Sequence, residues 1–377
     1  MKKVLILSCN TGQGHNTASR AILEELTARG IECEMRDTLA FASRFVSKTV
    51  CGIYNKAAVR IPKALGAGIS AAKMTDKMFK KRSPCYVANI PYAAKLRRYI
   101  EENGFDTVIM PHVFPSEAVT RSRRHVPRAH LVHASFVGTD YTYPPFLKDT
   151  DLDAYFIPHE ELRSLFVEAG IPNEKIVVTG IPVAAAFHAP ITKAEAREVL
   201  GLPMDKKLFL VMTGSMGYGD TEILTKTLLR RLPEKSHVIV MGGNNEKMKA
   251  AIRAAHEGDE RLTVLDFTDK VSWYLAACDL LFTKPGGLSS TEAAVRGIPM
   301  LHTKPIPGWE QDNIAFFRAH GMADCGEDAD ALVTKALFLL ANPHRCEEMV
   351  ENQRKHMNPT AAKAIVDYLL CTARPKA

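Results

Sequence analysis

At 377 residues, 46% hydrophobic and 24% charged, the chain has enough apolar surface for two buried cores, which sets aside a disordered or fibrous protein. Its apolar runs are broken by charge before the roughly 18–20 residues that a membrane span needs, and its eight cysteines show neither CxxC nor metal-type spacing. A spanning helix, a disulfide framework and a zinc domain are therefore not expected, and the cysteines suit a reducing cytosol.

The opening Met1-Lys2-Lys3 and the apolar residues after it run at once into a Gly-rich turn with no cleavage site, so they read as a first buried strand rather than a signal peptide. Further strands are expected in chain order: 4–8, 32–37, 107–111, 129–134, 154–157 and 176–179, then 208–212, 237–241, 262–266, 280–283 and 299–302. Helix-length segments alternate with them, the pattern of helices packed on parallel sheets. The Pro- and Ala-containing stretch 180–192 interrupts the alternation. This divides the chain into domains 1–185 and 186–357, with a last helix near 360–372, within 358–377, expected to pack back on the first.

Three turns carry chemistry. After the first strand, Asn10-Thr11-Gly12-Gln13-Gly14-His15 leads into a helix, and glycines there let a phosphate or sugar approach free backbone N–H groups. A dinucleotide fold is the alternative, with Asp37 as the ribose-binding acid, although the third glycine is missing. The second half repeats the device at Thr213-Gly214-Ser215-Met216-Gly217. The third turn is Lys284-Pro285-Gly286-Gly287-Leu288-Ser289-Ser290-Thr291-Glu292. Ser289 and Glu292 could form a capping box. That reading leaves the glycine pair unexplained, whereas a diphosphate at the helix start accounts for both.

Lys284 to Glu292, with Gly297-Ile298-Pro299 and Lys304-Pro305-Ile306-Pro307-Gly308-Trp309-Glu310-Gln311-Asp312-Asn313, resembles the donor-binding region of the processive diacylglycerol glucosyltransferases and monogalactosyldiacylglycerol synthases. These belong to glycosyltransferase family 28, and the chain is more distantly similar to the GlcNAc transferase that makes lipid II. Gly12-Gln13-Gly14-His15, Thr139-Asp140-Tyr141 and Val178 to Val183 fall in the family's order. The resemblance implies an α/β protein of the GT-B fold, two Rossmann-like domains with a cleft between them. The first domain would bind acceptor and membrane, the second a UDP-sugar. It also implies an inverting hexose transfer, glucose favoured and galactose possible, to a diacylglycerol-like lipid, giving a β-glycolipid with no metal or other cofactor. On matching positions Glu292 would hold the ribose, and Gly286 and Gly287 would pass the diphosphate. Glu310 would reach sugar hydroxyls, and Gly214, Gly217, Lys284, Pro285, Ser289, Trp309 and Asn313 would complete the donor pocket. Gly12, Gly14 and Tyr141 would meet the acceptor. Two positions depart from the family pattern: Trp309 stands where a Gln is usual, and Thr142 to Leu147 replaces a His- and Trp-containing run.

Inverting transfer needs a base for the acceptor hydroxyl and stabilisation of departing UDP. His15 is the candidate base, against a plain helix-start histidine; Asp140 is the second candidate or an orienting group, against an Asx-turn cap. Asp151-Leu152-Asp153 and Asp328-Ala329-Asp330 look like metal-binding DxD pairs but do not follow buried strands, so they are read as solvated turns.

The charge points the same way. The net +7 lies in the first half: residues 1–180 carry 25 Lys+Arg against 18 Asp+Glu, and residues 181–377 carry 24 of each. Residues 41–98 hold 13 basic residues and one acid, Asp76. A helix over 46–61 would put its apolar residues on one side and Arg44, Lys48, Lys56, Arg60 and Lys63 on the other, with Lys80, Lys81 and Arg82 beyond. The expectation is contact with an anionic membrane surface at about 1 kcal/mol per basic residue, from the cytoplasmic side. A surface helix packed on its own domain is the alternative. No nucleic acid is expected, because the block lacks interleaved aromatics and any binding module. Competing functions on the same residues are a lipid-linked GlcNAc transferase, a UDP-sugar 2-epimerase and a non-catalytic UDP-sugar sensor.

Overall fold

The computed structural model describes residues 1–9, 13–43, 90–124, 126–127, 131–214, 220–306, 308 and 310–372, with the single positions 49, 52, 67, 68 and 71. It divides into two compact units, Met1–Ala184 with Asn358–Ala377, and Ala185–Met357.

The first unit is a six-stranded parallel sheet: β1 (Lys3–Ser8), β2 (Glu32–Asp37), β3 (Thr107–Met110), β4 (His133–Val137), β5 (Ala154–Ile157) and β6 (Ile176–Val178), in the order β2-β1-β3-β4-β5-β6. Helices α1 (Gly14–Ala28), α2 (Ile90–Glu102), α3 (Val113–Ser122) and α4 (Arg163–Glu168) connect them. Val4, Leu5, Ile6 and Leu7 are fully buried, as a strand covered on both faces requires. The chain runs outward from β1 to β2 and then crosses to β3, so the strand order reverses between β1 and β3, where the ends of α/β strands leave a crevice. One strand is displaced from expectation. The segment expected at 129–134 forms its ladder at His133–Val137, where Ala134 pairs with Val108 and Phe136 with Met110.

The second unit has β7 (Lys207–Met212), β8 (Ser236–Met241), β9 (Leu262–Leu265), β10 (Leu280–Thr283), β11 (Met300–His302) and β12 (Asp324–Cys325), ordered β12-β11-β10-β7-β8-β9. Its helices are α5 (Lys193–Leu200), α6 (Thr221–Arg231), α7 (Glu246–Ala255), α8 (Val271–Ala277), α9 (Gly287–Arg296), α10 (Glu310–Ala319), α11 (Ala329–Ala341) and α12 (Pro343–His356). Phe209, Val211, Leu228, Val240, Phe282 and Val333 anchor one core layer. Here the order reverses between β10 and β7. The edge strand β12 was not expected, being two residues long with no apolar run.

The last helix, α13 (Ala361–Thr372), belongs to the first unit and lies against α1. Ile365, Val366 and Leu369 share a core with Val4, Ile6, Ile22 and Leu26. Gly180, at φ +89°, makes the close approach possible: a Cβ there would stand 3.2 Å from that of Asn358. The Asn358 amide donates to the Thr179 carbonyl at 2.8 Å, and Arg29 pairs with Asp367 at 2.6 Å. No described helix is long and apolar enough to cross a membrane.

Candidate active site

In the first unit, α1 is held against the end of β1 by buried polar side chains. The Ser8 hydroxyl donates to Asn16 Oδ1 at 2.6 Å, and the Thr38 hydroxyl donates to the Ser8 carbonyl at 2.9 Å. This fixes His15 in the first turn of α1, beside the loops that leave β3 and β4. His15 Nδ1 lies 2.8 Å from the Pro111 carbonyl. A carbonyl can only accept, so Nδ1 carries the proton and Nε2 keeps its lone pair. The Thr139 hydroxyl is 3.0 Å from the same nitrogen, tying the strand end before Asp140 to the ring. His112 meets His15 edge-on, 4.5 Å between centroids, and accepts the Phe114 N–H on its own Nδ1 at 3.0 Å. Burial pushes His15 down to about 4. His112 is also driven well below the ordinary range, by burial first and then by His15. Both rings are thus neutral at pH 7, and His15 presents a free imidazole lone pair. Asp140 follows Thr139 and is half-buried; Tyr141 is buried, and Gly14 opens α1.

In the second unit, β10 delivers Lys284, Pro285 and Gly286 to the start of α9, which begins at Gly287 with Gly286 as its N-cap. No side chain caps this helix. The capping-box reading of Ser289 and Glu292 therefore fails: Ser289 lies within the first turn, and Glu292 sits in the next turn, buried. Glycines at the cap and at the first helical position let an anionic group approach the backbone closely here. The Lys284 ammonium pairs with Glu310, whose second oxygen accepts the Ile306 N–H at 2.6 Å. The lysine is flanked by glycines. A Cβ on Gly214, at φ +72°, would lie 3.2 Å from Lys284 Cε, and one on Gly286 would lie 3.3 Å from its Nζ. Asn313, fully buried, donates to the Pro285 carbonyl at 3.0 Å and so fixes the turn. Ser290 Oγ, 3.0 Å from His302 Nε2, ties α9 to β11. Glu292 is 7% exposed and has no hydrogen bond or ion pair among the described residues; burial alone raises it to about 8.

Comparison with known proteins adds to this geometry. Residues 15–183 match the family described as monogalactosyldiacylglycerol (MGDG) synthase, and residues 193–356 match glycosyl transferases group 1. A processive diacylglycerol beta-glucosyltransferase of Bacillus pumilus is 26% identical over 377 residues, covering 97% of this chain and 95% of the relative. Over its whole length this chain is similar to the diacylglycerol glucosyltransferases, and its first half to the MGDG synthases. Its fold is GT-B. MurG of Acinetobacter baumannii superposes with a TM-score of 0.65 at 16% identity, covering 99% of this chain and 100% of that one. The UDP-GlcNAc 2-epimerase of Neisseria meningitidis, bound to UDP-GlcNAc, gives 0.65 at 14% identity, over 99% and 100%.

Within this glycosyltransferase, the residues singled out from the sequence fall into two groups, one in each unit. His15, Asp140, Tyr141 and Gly14 belong to the first unit, and Gly214, Lys284, Pro285, Gly286, Gly287, Ser289, Glu292, Glu310 and Asn313 to the second. Gly12, Gly217, Trp309 and all eight basic residues assigned to the membrane lie outside the described residues. The other acidic motifs have structural partners. Asp37 accepts the Leu39 N–H at 3.1 Å, and Asp153 accepts both Arg123 and the Ala134 N–H. Asp151 pairs with Lys175, Asp328 caps α11 through the Ala331 N–H, and Asp330 binds Arg231. His112 escaped the sequence reading, and Thr139 entered it only as part of a motif, with no role of its own. The available signal was position, since each lies just beyond the carboxyl end of a buried strand beside the switch point.

Proposed function

We propose that this chain is an inverting hexosyltransferase that moves glucose, or galactose, from a UDP-sugar to a diacylglycerol-type lipid. The observation that carries the reading is the buried carboxyl of Glu292, without a partner among the described residues, one turn into a helix that starts at a Gly-Gly turn. A buried carboxyl without a partner is costly to keep. A ribose diol supplies what it lacks, while the helix start takes the diphosphate. The bare Nε2 of His15 accepts the proton of the lipid hydroxyl as its oxygen bonds to the sugar's C1. The bond from C1 to the phosphate oxygen breaks on the opposite face, leaving UDP and a β-glycoside. Asp140 orients the acceptor or the imidazole. The helix start and Lys284 supply the charge stabilisation that a metal would otherwise give, so turnover is expected to persist in excess chelator.

The acceptor's insolubility places the reaction at a membrane. Arg44, Lys48, Lys56, Arg60, Lys63, Lys80, Lys81 and Arg82 are proposed to hold the protein on an anionic surface, on the cytoplasmic face. The deciding experiment is UDP release from UDP-glucose and UDP-galactose on vesicles with and without diacylglycerol, with the product linkage determined by NMR. Lipid-dependent formation of a β-linked hexose supports the reading; UDP release that ignores the acceptor, or an α-linked product, sinks it. Binding to anionic vesicles that salt does not weaken would remove the electrostatic part alone.

A further inference from the structure

The first unit holds a second imidazole, His112, beside the one assigned to proton transfer. It lies two residues after β3 and is the N-cap of α3, with an extended backbone at φ −150° and ψ 150°. Asn, Asp, Ser and Thr are the usual residues at such a position, because a short side chain brings an oxygen to the first helical N–H groups. His112 does this with a ring nitrogen: Nδ1 accepts the Phe114 N–H at 3.0 Å, while the Ser116 hydroxyl donates to the His112 carbonyl at 2.8 Å. An imidazole that accepts at Nδ1 carries its proton on Nε2 and stays neutral, since a proton on Nδ1 would set two donors against each other.

Capping does not call for an aromatic ring, and this ring has two aromatic neighbours. Phe114 stacks on it with 4.9 Å between centroids at 27°, and His15 meets it at 4.5 Å and 83°. A series of three rings thus runs from the first turn of α3 to the first turn of α1. The hydrogen bonds of His15 show what the contact adds. The Pro111 carbonyl and the Thr139 hydroxyl both lie at Nδ1, 2.8 and 3.0 Å away. The χ2 torsion of a histidine has a broad well, so contacts gathered at one nitrogen leave the ring room to tilt.

A second ring set edge-on to the first limits that tilt. Proton transfer depends on it, because Nε2 must stay within hydrogen-bond reach and in line with the hydroxyl it serves. The neutrality of His112 matters too: His15 becomes a cation when it takes the proton, and a second cation 4.5 Å away would oppose that step. We propose that His112 is a positioning residue for the transfer, whose ring holds the His15 imidazole in the orientation that accepts the lipid hydroxyl's proton, while its Nδ1 separately caps α3. The inference rests on the reading of His15 as the base.

The test separates the ring from its nitrogen. His112→Asn keeps an acceptor for the Phe114 N–H and removes the ring; His112→Phe keeps a ring and removes the acceptor. Transfer is measured with UDP-glucose or UDP-galactose, whichever the unaltered chain uses, on phosphatidylcholine vesicles containing diacylglycerol, alongside UDP calorimetry and urea melts. His112→Asn should lower kcat about tenfold, with KM, UDP affinity and urea midpoint unchanged. His112→Phe should lower the urea midpoint and keep kcat within about threefold. Activity and stability thus fall in opposite variants. An unaltered kcat in His112→Asn overturns the inference. A kcat that follows the urea midpoint through the two variants also overturns it, assigning His112 to capping alone, and either result leaves His15 as the base. Full transfer by His15→Ala removes the base and this inference together.

Discussion

The turn from β1 into α1 and the turn from β10 into α9 share a plan and differ in equipment. Each leaves a buried strand at the point where its sheet's order reverses, and each starts a helix that no side chain caps. The first places a neutral imidazole in its opening turn, locked by Pro111 and Thr139. The second keeps its opening turn free of acids and sets a lone carboxyl, Glu292, just behind it. The same backbone device therefore serves two ends. In the proposed reading, one helix start displays a side chain that moves a proton, and the other brings its backbone close to the diphosphate.

If that division is right, mutations should separate chemistry from binding. The largest effect belongs to His15→Ala, which should lower transfer by about 10²–10⁴-fold while UDP affinity, read by calorimetry, is unchanged. Equal losses of both would erase the contrast. Glu292→Ala should do the reverse, weakening UDP by about tenfold or more through loss of the ribose partner, with the bound donor still turning over. Asp140→Asn should cost less than His15→Ala; a larger loss would exchange their roles.

Two pH experiments sharpen the contrast further. His15 is depressed to about 4, so the acid limb of kcat/KM for the free enzyme should fall near that value rather than near that of an ordinary histidine. Because its folded value lies below its unfolded one, the stability linked to His15 is present above the ordinary imidazole range and lost as pH falls toward 4. Glu292 has the opposite sign. Raised to about 8, it contributes stability that is full below the ordinary carboxylate range and lost as pH rises through 8. Urea melts of Glu292→Gln should therefore show a gain over the unaltered chain that is larger at pH 8 than at pH 5, by about 3 kcal/mol. The smallest effect is expected of Asn313→Ala, which frees the Pro285 carbonyl and should cost about 1 kcal/mol of stability with a modest loss of UDP affinity.

Most of the fold was legible because buried parallel strands write themselves as aliphatic runs; Val4 to Leu7 and Leu208 to Met212 are plain examples. β12 was not, since two residues at a sheet edge need only backbone pairing. β4 slipped toward its carboxyl end because His133 and Ser135 interrupt its apolar pattern, and its register follows from neighbours on both sides. Two Ser/Thr-x-x-Glu patterns occur, and only one is a capping box. Thr192 and Glu195 exchange both bonds, whereas the glycine before α9 takes the cap position from Ser289. Of the site, the glycine turns and His15 stood out by spacing. The Pro111 and Thr139 contacts that fix the imidazole's tautomer join residues about a hundred positions apart, and no local pattern encodes them.

The return of α13 to the first unit bears on how the protein is made. Ile365, Val366 and Leu369 complete a core whose other members, Val4, Ile6, Ile22 and Leu26, leave the ribosome more than 300 residues earlier. The second unit, Ala185–Met357, is continuous and can close as soon as it is synthesised, whereas the first must wait for its last helix. The lobe translated first thus finishes folding after the second, and its incomplete apolar face stays open until α13 has been made.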